Sequence, residues 1–168
     1  MEKEQETIFL DALEKNQEKL FRICSIYSKD EEDAKDLFQE VLVHIWRSMN
    51  TFKDNSSIGT WMFRIALNVC LRSKSKQTKN QKRFIRLDSM TISNLGSAEN
   101  NEEVNEKLNS LRKCVKKLDE ADKAIVALYL EEVAYREISS ILGLSENHIA
   151  VKVKRIKSKL LNCINKTL

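Results

Sequence analysis

Proline is absent from the 168-residue chain, and glycine occurs only at Gly59, Gly96 and Gly143. A fold of many tight hairpins needs far more of both, so the composition points to helices instead of sheets. Cysteine is limited to Cys24, Cys70, Cys114 and Cys163, too far apart for a zinc knuckle or a redox motif. In the absence of a secretory signal they are expected to be four reduced, mostly buried thiols. His44 and His148 are the only histidines, and neither has Cys or Asp at ligand spacing, so no metal or other cofactor is expected. No apolar run approaches the roughly 20 residues of a membrane span, and the opening MEKEQETIFLDALEK lacks the order of a signal peptide. A cytoplasmic protein with no membrane segment is expected.

What is present is charge, and it is unevenly placed. Net charge runs −6 over 1–46, +8 over 47–95, −3 over 96–137 and +5 over 138–168, within an overall +4. This alternation suggests two modules, each with a basic C-terminal half suited to a polyanion. The expected fold class is all-α: two small helical domains joined by a flexible linker, with boundaries at 1–76, 77–103 and 104–168. Within 77–103 helical periodicity is lost and polar residues dominate; Phe84, Ile85, Leu87, Met90, Ile92 and Leu95 show no sustained pattern.

In the first module, residues 5–28 carry Phe9, Leu13, Leu20, Cys24 and Tyr27 as a helical scaffold. A new helix opens at Asp30 or Glu31. Residues 33–47, DAKDLFQEVLVHIWR, place Ala34, Leu37, Phe38, Val41, Leu42, Ile45 and Trp46 on one core-facing stripe. The opposite side carries Asp36, Gln39, Glu40 and Val43. It reads as a solvated face, as a docking face for a partner, or as a carboxylate cluster of Asp33, Asp36 and Glu40 serving a metal-dependent nuclease. A polar loop over 49–59 leads into TWMFRIALNVCLRSKSK at 60–76, with Trp61, Met62, Ile65, Ala66 and Val69 directed inward. Asn55, Ser56, Ser57 and Ile58 of the loop, with Thr60, Trp61, Arg64, Asn68 and Arg72, combine amides, hydroxyls, rings and cations. That mixture suits single-stranded nucleic acid, in which bases stack or enter pockets while cations hold phosphates.

In the second module, Leu108, Leu111, Val115 and Leu118 are spaced as one helix, and Asp119 is placed to cap the next, which carries Ile125, Leu128 and Tyr129. The stretch YREISSILGLSENHIAVKVKRIKSK, residues 135–159, then has the form of two helices joined at a corner. Ile138, Ile141 and Leu142 make the first stripe, Gly143 ends it, and Ser145 is placed as the next N-cap. Ile149, Val153, Ile156 and Leu160 form the packing side of the second helix, while Lys152, Arg155 and Lys159 form a cationic side. This is the pattern of helix-turn-helix DNA recognition.

Taken in order, these motifs resemble an extracytoplasmic-function type sigma factor, the small two-domain initiation subunit of bacterial RNA polymerase. DAKDLFQEVLVHIW is similar to the helix that docks on the polymerase beta-prime clamp, which implies that Asp33, Asp36, Gln39, Glu40 and Val43 contact polymerase. SSIGTWMFRIALNVCLR is similar to the segment that opens and reads the minus-ten element, implying contacts from Asn55 through Ile58, Thr60, Trp61, Arg64, Asn68 and Arg72. The segment from Leu118 to Leu160 is similar to the domain that binds the minus-thirty-five element and touches the beta flap. There the resemblance implies DNA contacts from Ser145, Asn147, His148, Val151, Lys152, Lys154 and Arg155. It further implies no enzymatic activity, promoter DNA and core polymerase as partners, and an anti-sigma factor as a regulatory partner. Asp119 stands where the family often has proline, and Asn147, His148 and Ala150 where Gly, Thr and Lys are common, so promoter preference does not carry over base by base. The competing function is a stand-alone helix-turn-helix regulator that binds duplex DNA without polymerase.

Overall fold

A computed structural model of the chain describes residues 2–77 and 102–167. The expected linker lies almost entirely outside them, including the Phe84–Leu95 portion. The described residues are helical, without strands, and the chain divides into two compact units, Met1–Gly96 and Ser97–Leu168.

The first unit is built from α1 (Glu2–Ile26), α2 (Glu31–Ser48) and α3 (Ile58–Gln77), each packed on the other two. A short 3-10 turn, Met49–Thr51, follows α2. The α1–α2 corner is fixed by two aspartates. Asp30 is the N-cap, its carboxylate accepting from the Asp33 amide at 2.8 Å, and Asp33 reaches back to accept from the Lys29 amide at 2.9 Å. Together they satisfy donors that a helix start otherwise leaves free. Leu20, Ile23 and Cys24 from α1, Phe38, Val41 and Ile45 from α2, and Met62, Ala66 and Cys70 from α3 form the core. Phe63 and Leu67 are also buried, which the sequence pattern of α3 did not single out. The stripe of α2 needs one correction at its end. Trp46 is 44% exposed, resting edge-on against Phe9 at 5.3 Å between ring centroids instead of entering the core.

The second unit contains α4 (Glu102–Lys116), α5 (Glu120–Leu130), α6 (Tyr135–Leu142) and α7 (Glu146–Thr167). Asp119 caps α5 as expected, accepting from the Asp122 amide at 2.8 Å. α7 is the hub, packing against α4, α5 and α6 through Ile149, Val153, Ile156 and Leu160, all buried. On α4 the apolar stripe is covered only toward its C-terminal end: Cys114 and Val115 are buried, Val104 and Leu108 exposed.

The expectation of four reduced thiols is corrected. Cys114 and Cys163 form a disulfide, 49 residues apart in sequence, while Cys24 and Cys70 are free and buried. The physical reason is the packing of α4 along α7, which brings the two Cα atoms to 5.9 Å.

Candidate nucleic-acid interfaces and docking face

The helix-turn-helix corner is made by three local interactions. Gly143 adopts the left-handed conformation, φ 71° and ψ 26°, and donates its amide to Ser139 O at 2.8 Å, which ends α6. The Ser139 hydroxyl also donates to the carbonyl of Leu144. Ser145 then caps α7, its hydroxyl accepting from the His148 amide at 3.1 Å, so it supports the corner as well as facing solvent. Beyond it Asn147, His148, Val151, Lys154 and Arg155 are exposed, on the side of α7 away from Ile149, Val153 and Ile156. Lys152 is different. Its ammonium turns to the α5 carboxylate of Asp122, 3.4 Å from Oδ1, and Lys159 meets Oδ2 of the same carboxylate at 3.0 Å.

In the first unit, Arg64, Asn68 and Arg72 are exposed at i, i+4 and i+8, one continuous face of α3, with Leu71 exposed beside them. Arg72 Nε donates to Asn68 O at 3.3 Å. At the N-terminus of this helix lies the loop with Asn55 and Ser57 exposed and Ser56 and Ile58 half-buried. Asp54 in that loop has φ 57°, a left-handed turn made without glycine. Two of the expected contacts serve the helix start. Ser57 accepts from the Thr60 amide at 3.2 Å and donates its hydroxyl to Thr60 Oγ1 at 2.9 Å, and Thr60 is buried. Trp61 is half-buried, its ring 5.2 Å from that of Phe52, so part of one aromatic surface remains available.

The third surface lies on α2. Glu40 and Val43 are exposed, and Asp36 and Gln39 are half-buried beside them. Asp33 is occupied by the cap of α2. Sequence reasoning missed Trp46 here. It stands three residues after Val43 and seven after Gln39, a spacing that places all three on one helical side. Among the described residues no group of three His, Cys, Asp or Glu is arranged to hold a metal ion, Asp33, Asp36 and Glu40 included. No described helix is long and apolar enough to cross a membrane.

An apolar groove also runs between α5 and α7, lined by Val126, Leu130, Ile156, Leu160 and Leu161. The Lys157 ammonium lies at its edge, 4.7 Å above the Tyr129 ring. The contact with Tyr129 raises the Lys157 pKa above its ordinary value.

Residues 12–80 match the Sigma-70 region 2 family and residues 108–160 match Sigma-70, region 4, together well over half of the chain. A stretch of 39 residues is 49% identical to the ECF RNA polymerase sigma factor SigG of Mycobacterium tuberculosis; it spans 23% of this chain and 10% of SigG. RNA polymerase sigma factor YlaC of Bacillus subtilis is 28% identical over 131 residues, covering 77% of this chain and 76% of that protein. Among solved structures, the sigma factor RpoE in complex with the anti-sigma factor NepR from Bartonella quintana superposes with a TM-score of 0.68 at 20% identity, over 97% of this chain and 98% of that one. At that identity the likeness speaks for the all-α fold. The order of region 2 before region 4, each on its own compact unit, completes the assignment: the chain belongs to the sigma-70 family of RNA polymerase sigma factors, as a member of its ECF type.

Proposed function

We propose that this chain is a specificity subunit, not an enzyme, that directs bacterial core RNA polymerase to two-part promoters in the cytoplasm. The observation that carries this reading is the exposed face of Asn147, His148, Val151, Lys154 and Arg155 on a Ser145-capped helix after a glycine corner. A recognition helix offers base-reading and phosphate-binding groups from its first turns in this way. Asn147 and His148 read base edges of the minus-thirty-five element, and Lys154 and Arg155 hold its backbone. In the other unit, the loop from Asn55 to Ile58 and the edge of Trp61 capture an extruded base of the minus-ten element. Arg64, Asn68 and Arg72 then hold the separated strand. Ser57 and Thr60 shape that loop from below.

The α2 surface of Asp36, Gln39, Glu40 and Val43 is the face we assign to the beta-prime clamp, with Trp46 as its apolar anchor. The α5–α7 groove is assigned to the beta flap. One similar protein of known structure, RpoE, was solved with the anti-sigma factor NepR bound, and a protein of that kind is the regulatory partner we infer here.

Run-off transcription by bacterial core polymerase over a random promoter library tests the proposal. Addition of the chain should enrich sites of two short elements at a fixed spacing. Tight, specific duplex binding without polymerase, and no transcription with it, would favour a stand-alone regulator instead.

A further inference from the structure

The cations of α7 are of two kinds. Successive residues on a helix are rotated by about 100°, so Lys152 and Lys159, seven residues apart, share one flank of the buried stripe, and Lys157 lies on the other. α5 holds both flanks. Asp122, whose side chain is only 2% exposed, accepts from Lys152 at Oδ1 and from Lys159 at Oδ2. Tyr129, seven residues further along α5, lies under Lys157. The apolar side chains of the stripe hold α7 against α5 but are not directional, and would tolerate some sliding and rolling. A single carboxylate bonded to two lysines about 10 Å apart along the helix axis removes both freedoms.

This arrangement also changes what the helix offers to a phosphate backbone. A buried carboxylate requires charge partners, so Lys152 and Lys159 cannot leave Asp122 without stranding it. Lys154 and Arg155 are exposed and carry no such obligation. Building on the assignment of α7 as the DNA-reading helix, we propose that Asp122 is a positioning residue for promoter recognition. It fixes the roll of α7 and withholds Lys152 and Lys159 from DNA. The helix therefore keeps its base-reading side toward the groove while its sequence-independent attraction to DNA stays low.

The test is the salt dependence of binding by the full-length chain to a mixed-sequence duplex. Each lysine or arginine that neutralises a phosphate contributes about 0.9 to the slope of log affinity against log salt. Lys154→Gln and Arg155→Gln should each lower the slope by about that amount, whereas Lys152→Gln should leave it unchanged. Asp122→Asn should raise it by up to about 1.8, because two cations are released; each would add about 3.5-fold to the change in affinity between 200 and 50 mM salt. On a promoter selected with the wild-type chain and core polymerase, Asp122→Asn should at the same time lose discrimination against a scrambled site. A variant that was merely misfolded would lose affinity for both DNAs.

If Lys152→Gln lowers the slope as much as Lys154→Gln does, or Asp122→Asn leaves it unchanged, the proposal fails while the DNA-reading role of α7 stands. If Lys154→Gln and Arg155→Gln change nothing, both fail. Should Asp122→Asn not fold, as seen by lost helical circular dichroism, Lys152→Gln decides alone, because Lys159 still pairs with Asp122 in that variant.

Discussion

Reducing the Cys114–Cys163 bond should destabilise the second unit and leave the first untouched. The bond closes a loop spanning 49 residues of sequence separation. Loop-closure entropy for a loop of that length corresponds to about 4 kcal/mol of stability, lost when the unfolded chain is released from the constraint. Little should offset that loss, because Cys114 is buried and a free thiol packs there as a small apolar group. In a unit of this size each kcal/mol moves the midpoint by roughly 4–8 °C, so the second unit should melt well over 10 °C lower. The assay is thermal or urea unfolding of the full chain with and without a phosphine reductant, alongside Cys163→Ser. Cys163 is the better site because it is only half-buried, so a hydroxyl there meets water. The first unit is an internal control, since its Cys24 and Cys70 are unbonded in either condition. Coincident C-terminal transitions in the two conditions, or alkylation of native Cys163 without reductant, would refute the reasoning.

Gly143→Ala should destabilise the second unit by about 1 kcal/mol, because φ 71° strains any residue with a Cβ although nothing lies within 4 Å to clash; Gly143→Asn should cost less, and urea midpoints measure both. Burial and the neighbouring Cys70 raise the Cys24 pKa well above its ordinary 9.0. The folded state therefore favours the neutral thiol, and this contribution is complete below pH 9 and lost as pH rises above it. Urea midpoints of the first unit should accordingly fall between pH 8 and 10, and less steeply in Cys24→Ala. A Cβ at Gly59 would come within 3.0 Å of Asn16 Oδ1, and Asn16 is held by its bond to Ala12 O at 2.8 Å. Gly59→Ala should thus destabilise the first unit alone, yet stabilise it by up to about 1 kcal/mol in an Asn16→Ala background, where only helix propensity remains; a double-mutant cycle by denaturation reads the difference.

Local signals carried most of the fold. The caps at Asp119 and Ser145, the break at Gly143 and the stripe from Ala34 to Ile45 depend on neighbours within a few residues, and these stand as the pattern implied. Trp46 departs because periodicity records which side of a helix a residue occupies, not whether another helix covers that end. The same is true of Val104 and Leu108 on α4. Asp33, Ser57 and Thr60 also bond to backbone and hydroxyl groups within four residues of themselves, local roles in the helix starts that the sequence reading did not assign to them. The Lys152–Asp122 pair and the Cys114–Cys163 bond join residues 30 and 49 positions apart, and only tertiary packing brings such partners together.

Complex formation with bacterial core RNA polymerase, followed by co-elution on a sizing column, tests the central claim most directly. Wild-type chain should co-elute with core enzyme, and Asp36→Arg with Glu40→Arg, or Trp46→Ala, should weaken the complex by about tenfold or more, equivalent to about 1.4 kcal/mol. Helical content and both unfolding transitions should be retained in these variants. No complex with the wild-type chain, or equal binding by the folded variants, would contradict the account.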